Sequence, residues 1–215
     1  MIDIVQLGMG PLGQKMVKAA VERGCFRFVA AVDPDSSIVG RELGELCAID
    51  PLGIKVSGSL SEAMQGKNAQ VALVTTVSSI LALESQVKEL ARAGLHIIST
   101  CEELSFPWRI APEAARRIDD ICRENAVVCL GTGINPGYLM DFLPTVLTGV
   151  CQQLERIEVN RVQDASVRRI PFQQKIGAGL TLEEFDLKKQ ERSLRHVGLP
   201  ESVDFIASQM GWTLD

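Results

Sequence analysis

Apolar and polar positions keep one rhythm over the first 135 residues of this 215-residue chain and another afterwards. In the first part, short runs that are apolar at nearly every position alternate with stretches whose apolar residues recur every three or four positions. Residues 2–7, 26–32, 54–56, 71–76, 95–100 and 126–130 read as strands. The unbroken run Val71-Ala-Leu-Val74 is typical of a strand buried on both faces of a parallel sheet. The intervening stretches predict helices over 14–21, 39–46, 59–64, 80–93 and 111–125. Ser59 and Glu62 form a capping-box pair, and Gly94 ends the fourth helix. Strands alternating with helices in this way predict an α/β fold, a Rossmann-type doubly wound parallel sheet.

After Pro136 the rhythm changes. Residues 138–150 read as an apolar helix, 154–162 alternate like a strand exposed on one face, and 164–175 are polar and basic. Thr181 and Glu184 open a further helix, and another runs over 200–210. One strand cannot make a sheet. The chain therefore reads as a Rossmann domain, 1–135, followed by the start of a second α+β domain, 136–215, for substrate and dimerisation, with its other strands missing or supplied from elsewhere.

The first strand ends in Gly8-Met9-Gly10-Pro11-Leu12-Gly13, a Gly-x-Gly-x-x-Gly turn that leads into a helix; Asp33 closes the second strand twenty residues beyond Gly13. In that setting the first glycine permits the tight turn, the second admits a pyrophosphate close to the backbone, and the third lets the helix pack on the sheet. Asp33 is placed to accept from ribose hydroxyls and repels a 2′-phosphate, so NAD is favoured over NADP. Ligands in such sheets lie at the carboxyl ends of the strands. Thr75, Thr76 and Thr100 are placed there to hydrogen-bond the cofactor. The turn could also be a glycine loop that binds nothing.

Composition narrows the partners. With 22 basic against 27 acidic residues and 5% aromatics, the chain lacks the charge and the stacking platforms of a nucleic-acid surface. The most apolar stretch, 71–83, is too short and too often interrupted by hydroxyls to span a bilayer, and no signal peptide precedes the first strand, so a cytoplasmic location is the default. The six cysteines stand singly, without metal-binding spacing, and read as reduced and mostly buried.

Five segments carry a family resemblance: Ser99-Thr-Cys-Glu-Glu-Leu-Ser-Phe-Pro-Trp108, Leu130-Gly-Thr-Gly-Ile-Asn-Pro-Gly-Tyr-Leu-Met-Asp141, Asp164-Ala-Ser-Val-Arg-Arg169, Lys175-Ile-Gly-Ala-Gly-Leu-Thr181 and His196-Val-Gly-Leu-Pro-Glu-Ser202. Together they resemble the 2,4-diaminopentanoate dehydrogenase family, relatives of dihydrodipicolinate reductase. The resemblance implies oxidative deamination of the C4 amine of 2,4-diaminopentanoate to 2-amino-4-oxopentanoate and ammonia, with hydride passing to NAD or NADP, within ornithine degradation. It also implies a second domain that continues beyond Asp215. The reductases use paired histidines followed by Lys and Pro-Ser-Gly; this chain has only His96 and His196, far apart. Gly133-Ile-Asn-Pro-Gly137 is similar to a turn that touches the substrate amine in other amino-acid dehydrogenases.

Amine oxidation needs a base and an anchor for the α-carboxylate. Glu102, just past the fifth strand, is the candidate base, or else a loop acid or helix cap. Asn135, with Gly137, could accept from the substrate ammonium, or serve only the turn before Pro136. Arg168 and Arg169 could clamp the carboxylate or form a solvated face. His196 could act as acid or base, or be a surface or capping histidine. His96 reads as structural. Other readings are another amino-acid dehydrogenase, an imine reductase, and a protein that binds NAD without catalysis. A homo-oligomer is expected on general grounds.

Overall fold

The computed structural model describes residues 1–166, 170–191, 194 and 197–214. The chain divides into two compact units, Met1–Gly133 and Ile134–Asp215.

The first unit contains all six predicted strands: β1 Ile2–Leu7, β2 Phe26–Val32, β3 Val56–Ser57, β4 Val71–Val74, β5 His96–Ser99 and β6 Cys129–Gly131. They form one sheet in the order β3-β2-β1-β4-β5-β6, with every neighbouring pair parallel. This is the strand order of doubly wound dinucleotide-binding sheets, with the order reversing between β1 and β4. Helices α1 Pro11–Arg23, α2 Leu43–Leu46, α3 Leu60–Ala63, α4 Ile80–Arg92 and α5 Pro112–Glu124 connect the strands.

Both faces of the sheet are buried along its central strands, which is why these read as continuous apolar runs. On one face Val5, Leu7, Ala72, Val74 and Ile97 pack with Leu83, Val87 and Leu90 of α4 and Ile118 of α5. On the other, Ile4, Phe28, Ala31 and Leu73 pack with Val17 of α1 and Leu43 of α2. Helix α2 is shorter than the predicted 39–46 because Gly40 sits at φ +84°, outside helical space. Its first turn is capped instead by the Glu42 carboxylate, which accepts from Glu45 N–H at 2.9 Å.

The second unit contains α6 Phe142–Thr148, α7 Ile170–Lys175, α8 Leu182–Gln190 and α9 Leu199–Met210, with α6 packed against α9. The reciprocal capping box read at Thr181 and Glu184 is present. The predicted strand 154–162 is not: the described residues of this unit contain no strand. A period-two pattern becomes a strand only where a neighbouring edge accepts its N–H and C=O groups, and none of these residues finds one. No helix among the described residues is long and apolar enough to cross a membrane.

Candidate functional site

The three glycines of the turn have different physical reasons. Gly8 leaves β1 at φ +86°, and a Cβ on it would lie 2.8 Å from the carbonyl oxygen of Thr75. Gly13, in the first turn of α1, has room only for hydrogen, because a Cβ would lie 2.0 Å from the Gly8 carbonyl oxygen. Gly10 differs from both. Its φ of −61° and ψ of 176° suit any residue, and a Cβ there would meet nothing within 4 Å. Helix α1 starts at Pro11, and no side chain caps its first turn. Its leading amides are therefore free to meet an anion.

A buried polar scaffold holds this turn. Gln6 is fully buried in β1, and its Nε2 donates to the carbonyls of Leu7 and Gly8, at 3.1 and 3.0 Å, and to Thr75 Oγ1 at 2.9 Å. The Gln6 Oε1 is buried with no partner among the described residues. The Thr75 hydroxyl donates back to Gly8 O at 2.9 Å and so braces the turn. Asp33 is 9% exposed: its Oδ2 accepts from Met9 N–H at 2.6 Å and its Oδ1 from Asp35 N–H at 2.9 Å. Each oxygen keeps a lone pair for a further donor. Met9 thus anchors the turn through its amide and the core through its side chain, which is wholly buried. Pro11 and Leu12 are exposed beside it.

The loops after β4 and β5 meet next to the turn, joined by Thr100 N–H donating to Val74 O at 3.0 Å and Glu103 N–H to Ser78 O at 3.3 Å. Thr76 is exposed and donates to Gln86 at 2.6 Å, while Thr100 is half-buried. Of the two adjacent acids, Glu103 is the helix cap: its Oε2 accepts from Ile80 N–H, the first amide of α4, at 2.9 Å. Glu102 is half-buried in the 3₁₀ turn Glu102–Leu104. Burial pushes the Cys101 thiol up to about 12, so it is no nucleophile. His96 is exposed, and its Nδ1 accepts from Val128 N–H at 3.1 Å, tying the start of β5 to the residue that precedes β6. A separate groove of about 340 Å³, lined by Leu104, Trp108, Ile118, Cys122, Val128 and Leu130, contains none of the sequence-predicted site residues.

Gly8 to Gly13, Asp33, Thr75, Thr76, Thr100 and Glu102 thus gather at the carboxyl ends of β1, β2, β4 and β5. Asn135 and Gly137 belong to the second unit, where Gly137 N–H donates to Asp141 Oδ2 at 2.7 Å. Arg168, Arg169 and His196 lie outside the described residues. Three residues of consequence escaped the sequence reading: Gln6, Glu103 and Asp141. The signal for Gln6 was a lone amide inside an otherwise apolar strand, and for Asp141 an acid directly before an apolar helix; for Glu103 none was local.

The comparison that bears on the whole chain is with the 2,4-diaminopentanoate dehydrogenase of Acetoanaerobium sticklandii, 31% identical over 217 residues, which is 99% of this chain and 61% of that protein. Residues 138–215 match the 2,4-diaminopentanoate dehydrogenase C-terminal domain. The resemblance read from the sequence is thereby borne out, in the second unit and across both. The 4-hydroxy-tetrahydrodipicolinate reductase of Acinetobacter baylyi is 34% identical over 93 residues, 43% of this chain and 33% of that one. Among solved structures, an amine dehydrogenase from Mycobacterium smegmatis superposes with a TM-score of 0.78 at 19% identity, covering 100% of this chain and 63% of that one, and so shares its fold. The chain spans roughly three-fifths of the length of the dehydrogenases it matches from end to end.

Proposed function

We propose that the protein is an NAD-dependent dehydrogenase that oxidatively deaminates the C4 amine of 2,4-diaminopentanoate, giving 2-amino-4-oxopentanoate and ammonium. The observation that carries this reading is the similarity to a 2,4-diaminopentanoate dehydrogenase over 99% of the chain, which takes in the glycine turn, the loop of Glu102 and the loop of Asn135.

The first unit suits a dinucleotide. Gly10 is the glycine that the protein's own packing does not require, and the open space beside it, next to the uncapped start of α1, is what a diphosphate needs. Asp33 keeps a lone pair on each oxygen for the ribose hydroxyls, and its charge disfavours a 2′-phosphate. When bound, the nicotinamide supplies the hydride acceptor. Glu102 takes a proton from the C4 ammonium, leaving the neutral amine whose lone pair assists hydride departure, and releases it to solvent; it then takes one from the attacking water and returns it to the departing nitrogen. Asn135 accepts from the substrate ammonium, and Arg168 with Arg169 holds the α-carboxylate. Per turnover, one substrate in its C4-ammonium form, one oxidised cofactor and one water are consumed, and one ketone, one ammonium, one reduced cofactor and one proton are released.

The test is to incubate the protein with NAD and 2,4-diaminopentanoate and to follow reduced-nicotinamide absorbance and ammonium together. Equal yields of both are expected. Reduced cofactor without ammonium refutes deamination, and tight NADH binding with no turnover points to a binding protein.

A further inference from the structure

Two of the segments that carry the resemblance end on residues that touch. Asp141 closes the segment begun at Leu130, and Ser202 closes the one begun at His196. Asp141 Oδ2 accepts from Ser202 Oγ–H at 2.8 Å across 61 positions of sequence. The same oxygen accepts from Gly137 N–H at 2.7 Å, and Oδ1 accepts from Phe142 N–H at 2.6 Å. Both side chains are 2% exposed.

Capping explains half of this arrangement. Asp141 immediately precedes α6, and a cap needs one oxygen for one amide, here that of Phe142. Serine, threonine or asparagine would do that work without the cost of burying a charge. What only a carboxylate can do is accept on both sides at once: asparagine would turn an NH₂ toward either Phe142 N–H or the Gly137 and Ser202 donors. Oδ2 is thus assigned to fastening the Asn135–Gly137 loop to the first turn of α9. A second bond, from Leu139 N–H to Ile134 O at 2.9 Å, closes that loop on itself.

We propose that Asp141 is a positioning residue for the substrate amine: through Gly137 and Ser202 it fixes the loop on which Asn135 is carried, two residues before Gly137. The inference rests on the reading above that Asn135 meets the substrate. Asp141 touches no reacting atom, and its effect passes through the placement of Asn135. An ångström-scale shift of a substrate-holding group lowers turnover by as much as about a hundredfold.

The test uses Asp141→Asn, Ser202→Ala and Ser202→Thr in the full chain, with two readouts. In kinetics with 2,4-diaminopentanoate, Asp141→Asn should lower kcat/KM by roughly a hundredfold through both constants, with NADH affinity unmoved. Ser202→Ala should lose roughly tenfold, and Ser202→Thr, which keeps the hydroxyl, should recover most of it. The second readout needs no activity. Pro136-Gly137 is the single Pro-Gly pair of the sequence, so ¹³C-proline with ¹⁵N-glycine labelling isolates the Gly137 amide. Its proton should lie downfield and move upfield in Asp141→Asn. Wild-type kinetics in Asp141→Asn, or an unmoved Gly137 amide, overturns the proposal. A purely structural bond would instead lower thermal stability in Ser202→Ala, with kcat and KM unchanged in both Ser202 variants. If Asp141→Asn does not fold, the Ser202 pair decides. If the wild-type protein turns over no diamine, the deamination reading fails, and the Gly137 amide alone supports or overturns the clamp.

Discussion

Alanine at Gly10 and alanine at Gly13 should fail in opposite ways. At Gly13 the new Cβ begins 2.0 Å from the Gly8 carbonyl oxygen, where ordinary contact begins at 3.4 Å, so the start of α1 must withdraw by 1.4 Å. That withdrawal also strains the Thr75 and Gln6 bonds to the same carbonyl, at 2.9 and 3.0 Å. Overpacking of this kind costs about 1–3 kcal/mol, or roughly 2–12 °C in Tm for a chain of this size. At Gly10 the Cβ meets nothing within 4 Å, on a backbone that alanine adopts readily. Restricting the unfolded chain there should stabilise by roughly 0.4–1 kcal/mol. The same Cβ stands where the diphosphate must approach, and a clash of about 1–3 kcal/mol weakens NADH by roughly 5- to 150-fold. Thermal melts followed by circular dichroism and NADH titrations followed by fluorescence separate the two effects. Gly10→Ala that melts as low as Gly13→Ala, or that binds NADH like the wild type, refutes the reasoning.

Three further outcomes follow. Glu102→Gln should lower kcat by roughly 10²- to 10⁴-fold with NADH binding intact, whereas Glu103→Ala, which uncaps α4, should cost about 0.5–2 kcal/mol of stability and leave kcat unchanged. Unchanged turnover in Glu102→Gln removes it from the mechanism. Asp33→Ala should weaken NADH more than NADPH and, by leaving the Met9 amide without its acceptor, destabilise the protein by about 1–3 kcal/mol; equal losses for the two cofactors contradict the ribose role. Of the six thiols, Cys25 and Cys151 are exposed and should react fast with Ellman's reagent in the native protein. Burial pushes Cys47 up to about 11 and Cys129 up to about 12, from an ordinary 9.0, so the fold holds these thiols protonated while the unfolded chain ionises. Their stabilisation is present below pH 9 and is lost as pH rises toward 12, and urea unfolding midpoints across that range should fall.

What the sequence made legible follows from the range of the interactions. Strands β1, β2, β4 and β5 were readable because burial on both faces writes a continuous apolar run into the residues themselves. The strand expected over 154–162 was not realised because alternation states only which side chains face inward, while pairing depends on an edge elsewhere in the fold. The braces of the site were invisible for the same reason. Gln6 meets Thr75 across 69 positions and Asp141 meets Ser202 across 61, so nothing local names either partner. Glu102 and Glu103 are indistinguishable in sequence, and the Ile80 amide, 23 positions away from Glu103, separates their roles.

The glycine turn takes this one step further, because the structure separates the glycines that the fold itself requires from the one it does not. Gly8 is accounted for by its backbone angle and the Thr75 carbonyl, and Gly13 by the Gly8 carbonyl. Both would be required in a protein that bound nothing. Gly10 meets no such requirement, so its lack of a side chain answers to something outside the chain. The turn therefore carries two kinds of information: two glycines specify how α1 joins β1, and the third specifies that a ligand comes close. In a turn that only folds, alanine at Gly10 is tolerated in every assay; in a turn that holds a dinucleotide, it is tolerated in every assay except binding.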